Sequence, residues 1–227
     1  MSNLIAIVGE SGSGKSTSIR TLNAEETFVV NVASKPLPFK GWRSKYSTWN
    51  KDNPNGNFVN TSDVDQIYKI LAYVNSKRPE IKNVVIEDAQ YLMSFEALDR
   101  AKEKGFEKFT DIAQKFYMVL KTSIQMRDDM NVFVLCHSEN GGSVDEPKFK
   151  IKTIGKMIDN TITVEGLFTY VFFTNVEKTS DNKVEYSFIT HSDGTNTAKT
   201  PIDCFEEDLI PNDLQYVVDK INEYNNL

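Results

Sequence analysis

A short glycine-rich stretch near the start of the chain, GESGSGKST at residues 9–17, has the composition of a phosphate-binding loop. Gly9, Gly14, Lys15 and Ser16 occupy the fixed positions of the pattern G-x-x-x-x-G-K-[ST]. Glycines allow several backbone N–H groups to converge on a phosphate, because no Cβ blocks the approach. The lysine adds a positive charge beside the outer phosphates, and the serine hydroxyl is a ligand for Mg²⁺. The predicted nucleotide-binding residues are Gly9, Glu10, Ser11, Gly12, Ser13, Gly14, Lys15, Ser16 and Thr17.

The flanking sequence provides the context that such a loop requires. LIAIVG at residues 4–9 is an unbroken apolar run typical of a buried parallel strand, and a helix is predicted at residues 15–22. A helix that starts at the loop directs unpaired N–H groups and a partial positive charge at the anion. A glycine-rich turn that matches the pattern by chance is the alternative, and this context argues against it.

Two acidic residues close the apolar run VVIED at residues 84–88. Because side chains alternate along a strand, we expect one of Glu87 and Asp88 to face Mg²⁺ and the other to orient water. The sequence does not indicate which residue takes which role, and a strand that simply ends in solvated acids is the alternative. We therefore predict a metal site formed by Ser16, Glu87 and Asp88.

A histidine ends another apolar run, VFVLCH at residues 132–137. In open parallel sheets, ligands bind beyond the carboxyl ends of the strands. His137 is therefore placed to sense the γ-phosphate or its attacking water, although a hydrogen-bonded structural histidine is an equally good interpretation. The predicted catalytic residues are Lys15, Glu87, Asp88 and His137.

The remaining pattern predicts strands that alternate with helices, which is typical of an α/β fold with a mainly parallel sheet. Buried strands are predicted at residues 4–9, 27–33, 81–88 and 131–137. Further helices are predicted from Ser62, at 90–104, at 107–126 and from about Asn212. Residues 34–61 are expected to be irregular, and 167–175 with 183–190 to form a β-hairpin. We predict one α/β domain over residues 1–227, with a mainly parallel central sheet flanked by helices and a C-terminal β-hairpin.

The composition, 40% hydrophobic and 26% charged, is that of an ordinary globular protein. No apolar stretch approaches the roughly 18 residues that a membrane helix needs, and no signal peptide precedes the first strand. We therefore expect an intracellular protein with no membrane partner. The two cysteines, Cys136 and Cys204, support neither a disulfide framework nor a zinc site. A net charge of −6 does not suggest a nucleic-acid binder, but such binding depends on a local patch.

One such patch is the segment KPLPFKGWRSKYSTWNK at residues 35–51, which contains five cations and no acid. Cations that follow a phosphate backbone, mixed with rings that stack on bases, are typical of single-stranded DNA binding. A surface loop whose aromatic residues cover the core is an equally good interpretation. The candidate DNA contacts in this segment are Lys40, Trp42, Arg43, Lys45 and Trp49.

A second set of lysines follows His137, in a polar stretch that contains glycine. If this stretch is extended, Lys148, Lys150 and Lys152 lie on one face. Together with Lys156 they are candidates to contact DNA phosphates, or to reach the γ-phosphate of a neighbouring subunit. A solvated surface without a partner is the alternative.

Seven motifs follow one another along the chain: GESGSGKST, KPLPFKG, VVIEDAQYLM, KGFEKFTDIAQ, FVLCHSE, IKTIGKMIDNTITVEGLFTYV and NTAKTPIDCFEE. In this order they resemble the motifs of phage-encoded RecA-like recombination ATPases, the small single-strand-annealing group that consists of the RecA core alone. The similarity runs over nearly the whole chain. The P-loop is generic, and the more specific parts are IKTIGKMID, TVEGLFT and the NTAK near the end.

The resemblance implies a RecA-like P-loop ATPase that uses ATP and Mg²⁺, binds single-stranded DNA and promotes annealing or strand pairing in phage recombination. It implies a homo-oligomer, ring or filament, that works with a single-strand-binding protein in the cytoplasm of the host cell. It also makes Lys152, Lys156 and Lys199 candidates for contacts to DNA or to a phosphate across a subunit interface.

One departure from the RecA pattern bears on hydrolysis. RecA-type ATPases usually place a catalytic glutamate at the end of the strand after the P-loop helix, and here that strand ends NVASKP, without an acid. A nucleotide-gated switch that docks a protein partner is therefore one alternative function. A small-molecule phosphotransferase is another, although residues 138–160 contain no arginine for the lid that such enzymes use.

Overall fold

The computed structural model describes residues 1–154, 158 and 161–225. In this part of the chain nine strands form one sheet, with helices on both faces. The strands are β1 (Asn3–Gly9), β2 (Thr27–Asn31), β3 (Phe58–Asn60), β4 (Asn83–Glu87), β5 (Asn131–Asn140), β6 (Phe149–Ile151), β7 (Tyr170–Lys178), β8 (Val184–Ile189) and β9 (Leu209–Pro211). The α-helices are α1 (Trp42–Lys45), α2 (Val64–Lys77), α3 (Tyr91–Asp99), α4 (Glu107–Ile124) and α5 (Leu214–Tyr224). Short 3₁₀ helices cover Ser16–Thr21, Ala24–Glu26 and Val164–Leu167.

The strands are arranged in the order β3-β2-β4-β5-β1-β7-β8-β9, and β6 pairs with the end of β5. The pairs from β3 to β7 are parallel, whereas β8 and β9 add antiparallel to the β7 edge. The predicted α/β class, with a mainly parallel sheet, is therefore confirmed. The predicted C-terminal hairpin is also present, since β7 and β8 pair from Phe173 with Ile189 to Lys178 with Val184.

The central strands are apolar on both faces because helices cover both. Alternate residues of β1 enter opposite cores: Leu4, Ala6 and Val8 pack with residues of α2 and α4, and Ile5 and Ile7 pack with residues of α5. Such doubly buried strands are typical of parallel sheets. The sequence therefore determines both the strand type and the central position of β1.

Three local differences separate the structure from the sequence prediction. The predicted helix at 15–22 is a six-residue 3₁₀ helix, Ser16–Thr21, in which hydroxyls bond to nearby carbonyls, as Ser18 Oγ does to Lys15 O at 2.6 Å. The expected irregular region contains α1 and β3. Strand β5 continues past His137 to Asn140, where it pairs with β6. These residues are polar, so apolar periodicity could not reveal the extension.

The parallel register places the functional candidates at one edge of the sheet. Gly9 at the end of β1 pairs with His137 on β5, and Glu87 at the end of β4 pairs with Asn31 on β2. Strand β5 lies between β1 and β4, so three strand ends meet beside the loop. Within the described residues, no helix has both the length and the apolar character that a membrane span requires.

Candidate active site

The glycine-rich loop leaves β1 at a point of close approach to β7. A Cβ at Gly9 would stand 1.8 Å from Thr174 Oγ1, so only glycine fits there. Gly12 and Gly14 have φ values of +79° and +95°, a region that side chains disfavour. The Ser13 hydroxyl accepts a hydrogen bond from Thr174 Oγ1 at 2.7 Å and donates to Glu10 O at 2.7 Å. The loop therefore requires glycine at positions 9, 12 and 14, because of its backbone conformation and its contact with β7.

Lys15 folds back onto the loop that carries it. Its Nζ donates to the carbonyl oxygens of Gly9 at 2.8 Å and Glu10 at 2.7 Å, and the residue is only 4% exposed. Burial lowers the pKa of this ammonium below its usual value. An ammonium has three N–H donors, and these two contacts use two of them. The side chain is thus held in place at the loop, with a donor left over for an anion.

The hydroxyl of Ser16 and the carboxyl of Glu87 meet across the space between the loop and β4. Ser16 Oγ donates to Glu87 Oε1. Burial, and then the charge of Asp88, raise the pKa of Glu87 above its usual range. The second oxygen, Glu87 Oε2, is buried and receives no hydrogen bond from an N–H or hydroxyl group in the part of the chain that the structure describes, while a hydrogen bond joins the carboxyl groups of Glu87 and Asp88. A buried carboxyl oxygen that no such donor reaches marks a place where a cation or an ordered water fits.

This donor set fits Mg²⁺ bound together with a nucleotide. Among the described residues, no cluster of three or more His, Cys, Asp or Glu side chains could hold a metal by itself. Mg²⁺ typically binds through one or two carboxylates, substrate phosphates and waters rather than through an all-protein cage. Ser16 and Glu87 supply a hydroxyl and a carboxylate of that kind, as the sequence predicted for the metal site.

Asp88 lies just beyond the end of β4, in a left-handed backbone conformation with φ of +57°. His137 Nε2 lies 3.5 Å from its Oδ1, and Lys35 forms an ion pair with its Oδ2. Burial opposes ionisation of Asp88, but the contacts from His137 and Lys35 outweigh it and lower the pKa of the carboxyl. Asp88 is therefore a buried carboxylate that remains charged at neutral pH.

Strand alternation does not separate the two acids as expected. The Nζ of Lys35 contacts Asp88 and also lies 3.9 Å from Glu87 Oε1, so one cation serves both carboxyl groups. The reason is local: β4 ends at Glu87, and the positive φ of Asp88 turns its side chain out of the alternating pattern. Non-glycine residues in this conformation are concentrated at functional sites.

His137 is held from both its backbone and its ring. Its N–H donates to Gln90 Oε1 at 3.2 Å, its carbonyl accepts from Lys152 N at 2.8 Å, and its ring lies 5.8 Å from that of Tyr91. The side chain is 19% exposed and faces Asp88. The structure thus brings the four predicted catalytic residues to one edge of the sheet.

A cleft of about 470 Å³ opens beside the loop. Its lining includes six of the predicted nucleotide-site or catalytic residues that are not glycine, and both loop glycines with positive φ. These are Ser11, Gly12, Gly14, Lys15, Ser16, Thr17, Asp88 and His137. The size is within the range of small-molecule sites. The cleft therefore combines the phosphate loop with the acidic and histidine side chains.

Six lining residues were not predicted for this cleft, namely Arg20, Lys35, Pro36, Pro38, Tyr186 and Asn212. A Cβ at Gly14 would stand 3.0 Å from both Tyr186 Cδ1 and Asn212 Nδ2, and Asn212 Oδ1 accepts from Arg20 Nη1 at 3.3 Å. Tyr186 and Asn212 come from β8 and the approach to α5, far along the chain, and no sequence pattern connects them to the loop. Lys35 lies in the basic segment, so the sequence shows its charge but does not indicate that it lies in the cleft.

The basic segment 35–51 turns its rings inward and, apart from Lys35 in the cleft, its cations outward. Trp42 packs on Phe58 with ring centroids 5.3 Å apart, and Trp49 packs on Phe28 and Tyr73 at 6.2 and 5.4 Å. Lys40, Arg43 and Lys45 are exposed, with the Arg43 guanidinium 4.8 Å from the centre of the Trp42 ring. The rings thus contribute to the core, as the alternative interpretation describes, and base stacking by them stays a prediction.

The second set of lysines lies around the β5–β6 hairpin. Lys148 and Lys152 are exposed, and Lys150 forms an ion pair with Glu139 at 3.4 Å. The exposed Lys199 follows a segment that contacts this hairpin, because Phe149 N donates to Thr195 O at 2.7 Å. The structure therefore brings the regions of residues 148–152 and 195–199 together. Lys156 lies outside the described residues.

The fold and the site together define a mixed α/β protein with a glycine-rich loop at the end of a central parallel strand. No family model matches the chain, and no curated protein is detectably similar to it in sequence. The resemblance of its motifs to RecA-like ATPases therefore stays a prediction. What the chain does has to be argued from the site.

Proposed function

We propose that this chain is a RecA-like P-loop ATPase that binds ATP with Mg²⁺ at residues 9–17. The observation that carries the proposal is the contact between Ser16 and Glu87 beside a loop that holds the Lys15 ammonium. A hydroxyl, a buried carboxyl group with an oxygen that no N–H or hydroxyl donor reaches, and a lysine converge where a parallel sheet accepts ligands. This is the donor set for a nucleotide phosphate chain and its metal.

The site suggests different roles for the two acids. Glu87 and Ser16 would hold Mg²⁺, which supplies charge neutralisation on the phosphates when bound. Asp88 would orient the attacking water, because its lowered pKa keeps the carboxylate a hydrogen-bond acceptor. The contact of His137 with Asp88 Oδ1 would hold the carboxylate in position. Lys15 would stabilise negative charge that develops on the outer phosphates. Each role uses a side chain that is already held in place by neighbouring groups.

We extend the proposal to single-stranded DNA as the partner and to annealing or strand pairing in phage recombination as the process. The support is the motif resemblance together with the exposed cations Lys40, Arg43 and Lys45, close in sequence to Lys35 in the cleft. Phosphate contacts of this kind dominate the affinity for single strands. Homo-oligomers and a single-strand-binding protein are the further partners that the resemblance implies, with Lys148, Lys152 and Lys199 as candidate contacts.

A nucleotide-gated switch without hydrolysis is the second candidate. The observation in its favour is at the end of β2, where Asn31 pairs with Glu87 and the segment that follows contributes Lys35 to the cleft. A lysine there cannot activate water as a glutamate would. In this version ATP changes the shape or assembly of the protein, and a partner detects the change.

Steady-state ATP hydrolysis with Mg²⁺, with and without a single-stranded oligonucleotide, tests both candidates. Equilibrium binding of a fluorescent ATP analogue is measured in parallel. Hydrolysis that the oligonucleotide stimulates supports the DNA-dependent ATPase. Binding without hydrolysis supports the switch, and absence of binding with and without Mg²⁺ would refute both.

A further inference from the structure

Lys35 is the one cation that contacts both buried acids of the site in the part of the chain described. Its side chain is 49% exposed, while those of Glu87 and Asp88 are each 1% exposed. The lysine therefore reaches from the mouth of the cleft to carboxyl groups at its base. Two neighbouring buried carboxyls need a counter-charge, and the ion pair raises the pKa of Lys35 although burial opposes this.

The backbone that carries Lys35 is held in place. Its carbonyl accepts a hydrogen bond from Asn31 Nδ2 at 2.7 Å, and Asn31 also donates to Asn60 Oδ1 at 2.8 Å. Ser34 has a φ of +57°, which turns the chain after β2, and Leu37 is buried in the core. An anchored backbone with a half-exposed side chain gives the ammonium a restricted range near the cleft. Restriction of this kind is how proteins prepare charged groups for a ligand.

The cleft contains a second lysine, and the two approach it from different sides. Lys15 comes from the loop and bonds to loop carbonyls, whereas Lys35 comes from the segment after β2 and lies at the acids. If Ser16 and Glu87 held the metal, a nucleotide whose phosphates followed the loop would direct its last phosphate toward Glu87, Asp88 and His137. That phosphate would offer Lys35 an anionic partner within the same cleft.

On the basis of the proposed function, we infer that Lys35 binds the terminal phosphate of the nucleoside triphosphate. Its contact with Asp88 would then be exchanged for a contact with that phosphate. The consequence is selectivity: a triphosphate gains a contact that a diphosphate lacks. A residue that only neutralised the buried acids would affect both nucleotides equally.

The test compares Mg²⁺-bound ADP with a non-hydrolysable ATP analogue, adenosine 5′-(β,γ-imido)triphosphate, by titration calorimetry. We expect Lys35→Gln to weaken binding of the triphosphate by about 10- to 100-fold, the value of one charge-assisted contact, and to change ADP affinity by less than about twofold. Lys35→Arg should retain the preference for triphosphate. Lys69→Gln, at an exposed position on α2, is the matched control.

The outcomes separate this inference from the proposed function. Wild-type protein that binds neither nucleotide would refute both. Wild-type binding with an equal loss for both nucleotides in Lys35→Gln, or with no loss, would refute the inference alone. Should Lys35→Gln not fold, lysine labelling of the wild type with mass spectrometry decides. Protection of Lys35 by the triphosphate analogue but not by ADP supports the inference, and equal labelling with either nucleotide refutes it.

Discussion

The cleft and the basic segment use charged residues in opposite ways. In the cleft, the charged side chains are buried and bonded to other groups of the protein: Lys15 is 4% exposed, Glu87 0% and Asp88 1%. In the segment 35–51, the cations other than Lys35 face solvent and the aromatic rings pack on the core. A buried polar network is costly unless its members are paired or await a ligand, whereas exposed cations cost little wherever they lie.

This contrast determines in which of the two regions a function can be assigned. The cleft contains arrangements that folding alone does not require, such as two adjacent buried carboxyl groups and an aspartate with positive φ. Exposed lysines have no comparable signature, because a solvated surface and a DNA-binding surface look alike without a ligand. Experiments on the cleft should therefore give large effects, and those on the segment small and salt-dependent ones.

The largest expected effect is that of Lys15→Ala. The ammonium bonds to two loop carbonyls and supplies positive charge where phosphates would bind, so its loss affects both the shape and the charge of the loop. We expect ATP hydrolysis to fall by about 100-fold or more, and nucleotide affinity to fall with it. Radiolabelled ATP turnover and nucleotide titration measure the two quantities. Turnover equal to wild type in a folded variant would remove the P-loop interpretation.

A second large effect distinguishes the two acids. Asp88→Asn removes the charge, preserves the shape and suits the left-handed backbone, which asparagine tolerates. If Asp88 orients water, hydrolysis should fall by about 100-fold, while ATP binds as well as before or more tightly because a repelling charge is gone. Single-turnover hydrolysis and equilibrium binding provide the comparison. Loss of binding with unchanged single-turnover rate would instead assign Asp88 to the metal.

The sequence predicts the cleft better than it predicts the surroundings. Motifs of fixed local spacing identify Lys15 and Ser16, and apolar runs that end in polar residues identify Glu87, Asp88 and His137, because the carboxyl ends of parallel strands share one edge. Tyr186 and Asn212 escape prediction because antiparallel strands and a distant helix bring them to Gly14. The extension of β5 and its pairing with β6 are not predicted from the sequence, because the residues of the extension are polar and their backbone pairs with β6 outside the core.

An intermediate effect concerns the stability of the protein in solution without nucleotide. The pKa of Glu87 is raised from 4.5 to about 7, so its contribution to stability is complete below about pH 4.5 and is lost as the pH rises through 7. Asp88 has a lowered pKa, so its own contribution changes only in more acidic solution. Glu87→Gln, which keeps an acceptor for Ser16, should therefore gain on the order of 1–3 kcal/mol in unfolding free energy relative to wild type between pH 5 and 8.

Urea unfolding at those two pH values, without nucleotide or Mg²⁺, measures this gain. Glu146→Gln, in an exposed loop, reports the effect of the substitution itself. If the difference in unfolding free energy between Glu87→Gln and wild type did not grow with pH, Glu87 would not be a buried carboxyl group with a raised pKa. If Glu87→Gln gained unfolding free energy and also lost Mg²⁺-dependent nucleotide binding, the same carboxyl group would both destabilise the protein and take part in binding.

The smallest expected effect is at the exposed cations. Replacing Trp42 or Trp49 would be a poor test of DNA binding, because both rings pack on core residues and their loss would also destabilise the fold. The combined variant of Lys40→Gln, Arg43→Gln and Lys45→Gln changes the charge and leaves the rings. If these cations contact phosphates of single-stranded DNA, the slope of log affinity against log salt should decrease in magnitude by about 2, at roughly 0.7 per contact. Fluorescence anisotropy with a labelled oligonucleotide at several salt concentrations measures the slope.

A second triple variant controls for the change in net charge. It carries the same substitutions at Lys69, Lys77 and Lys121, which are exposed on α2 and α4. Equal slopes in the two variants would mean that the segment 35–51 is only a solvated surface over the core.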